Sequence, residues 1–106
     1  MNYHWIGHCK EGTSDKVWGM ICLNGNNHEA ANNPWTGYKY VSFWGRRGRA
    51  LQTKIHENLV YYAANKLCDK KEDKGYKTIN VARLDEVYPE FENDLQATTV
   101  WAMLSV

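Results

Sequence analysis

The chain has 106 residues, a length that fits one domain. Of these residues 43% are hydrophobic, which is enough for a core and argues against a disordered tail. The net charge of +1 favours no class of partner. The charge is nevertheless polarised along the chain, because residues 30–56 carry five Lys or Arg and no acid, whereas residues 83–106 carry one Arg and five acids.

The cysteines and the apolar runs indicate the cellular compartment. Cys9, Cys22 and Cys68 are widely spaced and make no disulfide framework, which predicts a reducing compartment. We predict each of them to be a small buried hydrophobe. No apolar run approaches the roughly 20 residues of a membrane span, and the first residues lack the apolar core of a signal peptide. We therefore expect a cytoplasmic or nucleoid-associated protein.

The first part of the chain predicts a β-hairpin followed by a loop. Residues 3–10 and 16–23 are rich in aromatic and β-branched side chains, and the turn residues 11–15 lie between them. Residues 24–37 contain five Asn, two Gly and one Pro, which is typical of a long loop. Trp35 in this loop is expected to be exposed, and it is a candidate anchor for a protein partner.

A second pair of strands is predicted at residues 38–44 and 50–56, where aromatic and β-branched residues recur with a period of two. One face of this pair should line the core with four apolar residues, namely Val41, Phe43, Leu51 and Ile55. The opposite face should be wetter. It carries Trp44 on the first strand and three polar side chains on the second, namely Gln52, Lys54 and His56.

A helix is predicted over residues 58–74. Its apolar residues form a single stripe, made of Leu59, Val60, Ala63, Ala64, Leu67 and Cys68. Asn58 is the expected N-cap and Gly75 the expected end. Residues 97–106 fit either a closing strand or a short helix. The predicted fold is α+β, an antiparallel sheet of four or more strands with one helix packed across it.

The segment between the second pair of strands combines an aromatic side chain with positive charge. We expect Trp44 to offer a platform on which an unpaired base could stack, which contributes roughly 1–3 kcal/mol. The basic and amide side chains around it should converge on one rim and attract a phosphate backbone, and they are Lys39, Arg46, Arg47, Arg49, Gln52 and Lys54. In the alternative interpretation Trp44 closes the end of the sheet, Arg46 packs over it as a cation–π partner, and the other basic residues form a solvated hairpin tip.

The sequence predicts neither a metal site nor a catalytic residue. His4 and His8 are four residues apart in a predicted strand, which separates them by about 13 Å, too far to share one zinc ion. The sequence contains no C-x-x-C pair, and nothing marks a cysteine as activated. No cofactor is expected either.

The segment FWGRRGRALQTK, residues 43–54, resembles the signature of the WGR domain, W-G-R-x-G-x-x-G-Q. Residues 11–18 resemble the first hairpin of that family, and residues 74–76 resemble the exit of its single helix. Residues 87–91 resemble the proline–aromatic segment that follows the domain in several poly(ADP-ribose) polymerases. The resemblance covers about residues 3–80, so that 1–106 is expected to be a single WGR-like domain with a C-terminal extension at 81–106.

The resemblance implies a binding role. WGR domains of those polymerases hold DNA at a break, and solo WGR proteins of bacteria also exist. Trp44 matches the motif Trp that packs against the exposed nucleotide at a 5′ end, and Arg46 matches the motif Arg that engages DNA or a neighbouring domain. Two departures stand out, Leu51 in place of a glycine and a longer loop at 24–37. The chain is too short for the polymerases' helical and transferase domains, so we expect no enzymatic activity.

The expected function is therefore a non-enzymatic nucleic-acid-binding module that recognises DNA ends or breaks. The alternative is a protein–protein adaptor or accessory factor, of the viral type for instance. Such an adaptor would use the basic hairpin, Trp35, or the acidic and apolar segments near the C-terminus. The two functions differ in their response to salt and to the form of the nucleic acid.

Overall fold

The computed structural model describes residues 3–23, 27–47 and 49–79. Its elements in chain order are β1 (Tyr3–Glu11), β2 (Ser14–Cys22), α1 (Asn27–Asn32), β3 (Gly37–Arg46), β4 (Gln52–Val60), α2 (Tyr61–Asp73) and β5 (Lys77–Thr78). The predictions made for 81–106, including the acidic segment and the closing strand or helix, lie outside the described residues. No helix in the described part of the chain is both long and apolar enough to cross a membrane.

The strands form one antiparallel sheet in the order β4-β3-β2-β1-β5. Both predicted strand pairs are present, and α2 is the one long helix of the described residues, so the predicted α+β class is confirmed. Two elements were not predicted. The short helix α1 lies within the segment expected to be a loop, and the two residues of β5 pair with Gly7 and His8 of β1.

Helix α2 begins three residues later than predicted. Residues 58–60 belong to β4, where Leu59 and Val60 pair with Tyr38 and Gly37 of β3, so the apolar stripe of the sequence merges the end of a strand with the start of a helix. The predicted N-cap Asn58 is therefore wrong. The N-cap is Val60, in an extended conformation and without a side-chain cap.

The end of α2 is where the sequence predicts it. Gly75 has a φ of 104°, a left-handed conformation that costs glycine little. Its N–H donates to the carbonyl of Glu72 at 3.0 Å, and the N–H of Tyr76 donates to the carbonyl of Lys71 at 3.1 Å. This pair of hydrogen bonds is the Schellman arrangement that satisfies the last carbonyls of a helix, and it directs the chain back toward β1.

Alternation along the strands places apolar side chains on both faces of the sheet. The first face carries the buried residues Ile6, Val17, Ile21, Val41, Phe43 and Ile79. The second, which we call the helix face, carries Trp18, Met20, Cys22 and Tyr40 packed with Ala64 and Cys68 of α2. The predicted core set is confirmed, because Leu51 and Ile55 pack against the first face beside Val41 and Phe43.

The expectation of a wetter opposite face holds on β4, where Gln52 and Lys54 are exposed, but it is wrong for the middle of β3. Tyr40 is 0% exposed and Ser42 is 4% exposed, because α2 folds back over the strands that carry them. Sequence alternation alone cannot reveal this second core, since the covering helix belongs to a later part of the chain. Trp44, nearer the end of β3, is half-buried.

Cys9, Cys22 and Cys68 form no disulfide within the described residues. Cys22 and Cys68 are buried, as predicted, whereas Cys9 is only half-buried. Burial, with a smaller effect of Asp69, raises the pKa of the Cys68 thiol to about 12. Cys68 therefore remains protonated at neutral pH and serves as a core residue, since the thiolate is the reactive form of cysteine.

Candidate nucleic-acid interface

Three tryptophans cross the helix face of the sheet. Trp44 of β3 is the register partner of Trp18 of β2, so the two side chains are neighbours on that face. The ring of Trp5 lies 5.9 Å from the ring of Trp18, centroid to centroid, with a tilt of 48°. Gly7 makes room for it, because a Cβ added at Gly7 would lie 2.3 Å from Cη2 of Trp5. The result is an aromatic row from β1 to β3.

An open pocket of about 260 Å³ lies where this row meets α2. Its walls come from β2, β3, β4 and α2, and its lining residues are Trp18, Ser42, Trp44, Lys54, His56, Leu67 and Lys71. Lys71 Nζ lies 5.6 Å from the centroid of the Trp18 ring, a cation–π contact. The pocket thus has aromatic side chains on one side and cationic groups on its rim.

The polar part of the pocket is a hydrogen-bonded pair. The Ser42 hydroxyl lies 3.2 Å from Nε2 of His56 and donates to the carbonyl oxygen of Lys54 at 3.5 Å. Partial burial, together with the nearby charge of Lys54, lowers the pKa of His56. The imidazole is therefore neutral at pH 7 and can act as donor or acceptor, while Lys54 supplies the positive charge.

The basic loop between β3 and β4 is anchored by an acid from the first hairpin. The backbone N–H of Arg47 donates to the carbonyl of Asp15 at 2.9 Å. Its guanidinium Nε and Nη2 both lie 3.0 Å from Asp15 Oδ2. His8 Nε2 lies 2.5 Å from the other carboxylate oxygen, and the hydrogen bond from His8, followed by the contacts with Arg47, lowers the pKa of Asp15. Asp15 therefore joins β1, β2 and the loop.

The structure separates the predicted rim residues into three groups. Arg46, Arg49, Gln52 and Lys54 are exposed around the end of the sheet where Trp44 lies. Arg47 is at the same end but is ion-paired with Asp15, so the expected rim without acids is wrong at this point. Lys39 is not part of the rim. It is five residues before Trp44 on β3, about 17 Å along the strand, and its Nζ lies 4.0 Å from Glu57 Oε2.

Two basic residues at this end were missed by the sequence reasoning. Lys16 is the register partner of Arg46, and Lys71 reaches the pocket from α2. Lys16 could have been found, because it is two residues before Trp18 and so shares its face of the strand. Lys71 is harder to identify from the sequence. Its spacing of four residues places it on the same face of the helix as Leu67, but the sequence does not show which strands that face covers.

The predicted partner anchor, Trp35, lies at the opposite end of β3. Trp35 is 77% exposed, as expected, and Tyr62 in the first turn of α2 is 51% exposed. Their ring centroids are 5.8 Å apart with an interplanar angle of 36°, and Lys66 Nζ lies 4.8 Å from the centroid of the Tyr62 ring. Trp35 thus belongs to an exposed aromatic pair that is separate from the pocket beside Trp44.

Within 3–23, 27–47 and 49–79, no three His, Cys, Asp or Glu side chains form a group that could hold a metal ion. Comparison with known proteins gives no relative from which a role could be read. No protein-family model, no curated protein and no solved structure matches this chain.

Proposed function

We propose that this chain is a non-enzymatic DNA-binding module that recognises DNA ends or breaks through Trp44 and the basic residues around it. One observation carries the proposal. The half-buried Trp44 stands beside Trp18 at an open pocket whose charged lining residues, among those described, are the two lysines Lys54 and Lys71. An aromatic platform beside cations is the usual means by which proteins hold unpaired nucleotides.

The position of the aromatic platform supports recognition of an end. Trp44 is two residues from the end of β3, and its register partner Gln52 is the first residue of β4. Trp44 therefore lies close to the rim of the sheet. A base inside an intact duplex is stacked on its neighbours and cannot offer its face to such a platform. A terminal or nicked nucleotide can do so at a lower cost in unstacking energy.

The charge around the pocket supports phosphate contact. Arg46, Arg49 and Lys54 are exposed, and Lys16 lies directly opposite Arg46. Arginine can contact a phosphate with two parallel hydrogen bonds. A single module of this kind buries roughly 600–1,000 Å² on DNA, which favours modest affinity and little reading of sequence.

The resemblance to the WGR domain supports the same function, because Trp44, Arg46 and Gln52 match its motif residues. A long helix, α2, packed on an antiparallel sheet is compatible with the fold that the resemblance implies. At the main departure from the motif, Leu51, the side chain packs against the first face of the sheet. Leu51 thus anchors the loop to the core through a side-chain contact that a glycine at this position could not make.

Fluorescence anisotropy tests the proposal. Labelled DNA carrying a nick, a 5′-phosphorylated end or no end at all would be titrated with the wild-type chain over a series of salt concentrations. If three to five phosphates are neutralised, log affinity falls against log salt with a slope of roughly −3 to −4.5. We expect nicked or ended DNA to bind best and Trp44→Ala to remove that preference.

Trp35→Ala is the matched control, since it removes a tryptophan from the other end of β3 and should leave the preference for ends unchanged. Circular dichroism of both variants shows whether the fold survives. If no DNA form binds below about 100 μM at physiological salt, weaker than much non-specific binding, the proposal is wrong.

A second candidate function, a protein–protein adaptor, is favoured by the aromatic pair of Trp35 and Tyr62. Exposed tryptophan and tyrosine are the side chains that most often carry binding energy at protein interfaces. An adaptor would bind all DNA forms weakly and equally, so the same titration separates the two candidates.

A further inference from the structure

We propose that the pocket between α2 and the sheet takes one unpaired nucleotide, with its base against the tryptophans and its phosphate between Lys54 and Lys71. This inference rests on the proposed function and specifies the form of DNA that the site selects. It predicts a preference for ends with a single-stranded overhang over blunt ends. It also makes helix α2 part of the binding site.

The size of the pocket limits its occupant to one small group. At about 260 Å³ it is slightly smaller than the 300–1,000 Å³ typical of sites for drug-sized ligands. The side chains of Leu67 and Lys71 close it on the helix side. A single unpaired base can enter from the open side, whereas a base paired at a blunt end brings a second strand toward the wall formed by Leu67 and Lys71.

The aromatic lining suits the flat face of a base. Trp18 and Trp44 are neighbours across the β2–β3 pair, and Trp18 is fixed on its other side by Trp5. Trp18 is a buried residue, whereas Trp44 is half-buried. Trp18 therefore forms the fixed wall of the pocket, and Trp44 is the platform that remains accessible. Base–aromatic stacking is sequence-tolerant, which suits a protein that recognises ends of any sequence.

The two lysines suit a phosphate because they come from different elements. Lys54 is on the edge strand β4 and Lys71 is on α2, yet both line the same pocket. Burial, with a smaller effect of Lys74, lowers the pKa of Lys71, so its ammonium group lacks part of its hydration and gains from an anionic partner. In the free protein Lys71 contacts the face of Trp18, and a bound nucleotide would replace that contact with a phosphate.

The Ser42–His56 pair gives the pocket a polar side for the edge of the base. The hydroxyl and the imidazole are hydrogen-bonded to each other, and they line the pocket together with the tryptophans and Lys54. Because the hydroxyl proton is donated to the Lys54 carbonyl and Nε2 of His56 contacts Ser42, the pair keeps acceptor sites on the Ser42 oxygen and on Nδ1 of His56. They can therefore contact the Watson–Crick edge that an unpaired base leaves without a partner, and they do not select one base.

The test compares three duplexes that share one sequence and one 5′ phosphate. One is blunt, one has a single thymidine as a 5′ overhang, and one has a single abasic residue in its place. We expect the thymidine overhang to bind about fivefold to a hundredfold more tightly than the abasic overhang, which is the range expected for one stacked base. The abasic and blunt duplexes should bind alike.

A helix variant isolates the role of α2. Lys71→Gln should lower the affinity for the thymidine overhang about tenfold, as expected for the loss of one charged hydrogen bond. Its effect on the blunt duplex should be much smaller. Lys70→Gln removes the same charge from the neighbouring, exposed position and should affect both duplexes equally. Equal effects of the two variants would overturn the assignment of Lys71.

A second readout separates this inference from the proposed function. Thymidine 5′-monophosphate and thymidine would be titrated into the isotope-labelled protein while the indole N–H signals of Trp18 and Trp44 are followed by NMR. If DNA ends bind but the base makes no difference in either experiment, the pocket inference is wrong and the proposed function stands. If no DNA binds but the monophosphate shifts these signals, the pocket stands and the proposed function fails.

Discussion

The guanidinium of Arg47 lies 3.0 Å from Oδ2 of Asp15, although 32 residues separate them along the chain. The arrangement shows why a basic segment of a sequence need not be a basic surface. Arg47 is adjacent to Arg46, yet its charge is balanced by a carboxylate from the preceding strand. The loop is thereby held in place. Under the proposed function, phosphate contact would fall to the exposed cations Arg46, Arg49 and Lys54.

Replacing Asp15 should loosen this loop and expose its charge. Asp15→Asn removes the ion pair with Arg47, and we expect it to lower the free energy of unfolding by about 1 kcal/mol, the range for a partly exposed, hydrogen-bonded pair. The affinity for DNA at low salt should rise, because Arg47 gains freedom to contact phosphate. Urea unfolding and anisotropy measure the two effects.

Glu11→Gln is the control for this variant, since it removes one negative charge from the same hairpin at an exposed position. It should reproduce any effect of net charge on DNA binding but not the loss of stability. An unchanged free energy of unfolding in Asp15→Asn would show that the ion pair contributes nothing to the fold.

The salt dependence of DNA binding should distinguish the two lysines of the predicted rim. Lys54→Gln removes a cation from the pocket and should make the slope of log affinity against log salt less steep by about 0.9, the value for one phosphate contact. Lys39→Gln should leave the slope unchanged, because Lys39 is near Glu57 and far from Trp44. Equal slopes for both variants would place the DNA elsewhere on the sheet.

Gly7 should be sensitive to substitution although it lies in a regular strand. Gly7→Ala places a methyl group where the ring of Trp5 now lies, 2.3 Å from Cη2, so the ring must move away from Trp18. We expect a loss of stability of about 1–3 kcal/mol, the usual range for overpacking, and a change in near-ultraviolet circular dichroism. Gly12→Ala is not a suitable control, because Gly12 has a φ of 57°. Ala31→Gly, at an exposed position of α1, is a better measure of an ordinary Gly–Ala difference.

The sequence predicted those parts of the fold that depend on neighbours along the chain. The alternation of Val41 and Phe43, and of Leu51 and Ile55, located the core face of β3 and β4. The conformational freedom of Gly75 located the end of α2. The start of α2 was misplaced, because Leu59 and Val60 fit the apolar pattern of a strand as well as that of a helix.

The candidate site was predicted less well, because it depends on contacts between distant segments. The aromatic and basic residues at 44–54 were identified from their composition, but the wall formed by Leu67 and Lys71 arises only when α2 packs on the sheet. The pairing of Arg47 with Asp15 likewise requires the register between β2 and β3. No single segment contains the information for either contact.

Acid should destabilise the fold through His4 before it affects the carboxylates. Burial lowers the pKa of His4, with a partial offset from a hydrogen bond to Asn65, and Nδ1 has no hydrogen-bond partner among the described residues. In the unfolded chain the pKa is about 6.5, so the unfolded state takes up a proton first as the pH falls. The free energy of unfolding should therefore be constant between pH 7 and pH 8 and should decrease as the pH falls below about 6.5.

His4→Phe keeps a ring against Tyr40 and Tyr61, which the imidazole now contacts edge-on at centroid distances of 5.6 and 4.9 Å. Because Phe cannot take up a proton, the variant should lose much of the decrease between pH 6.5 and 5. A smaller decrease should remain, since the pKa of His56 is also lowered by burial and by Lys54. Below pH 4 both proteins should lose stability together, as Asp15, whose pKa is lowered by His8 and Arg47, becomes protonated. Urea unfolding from pH 3 to pH 8 measures these changes. Parallel curves for the two proteins would show that His4 is not the group that titrates.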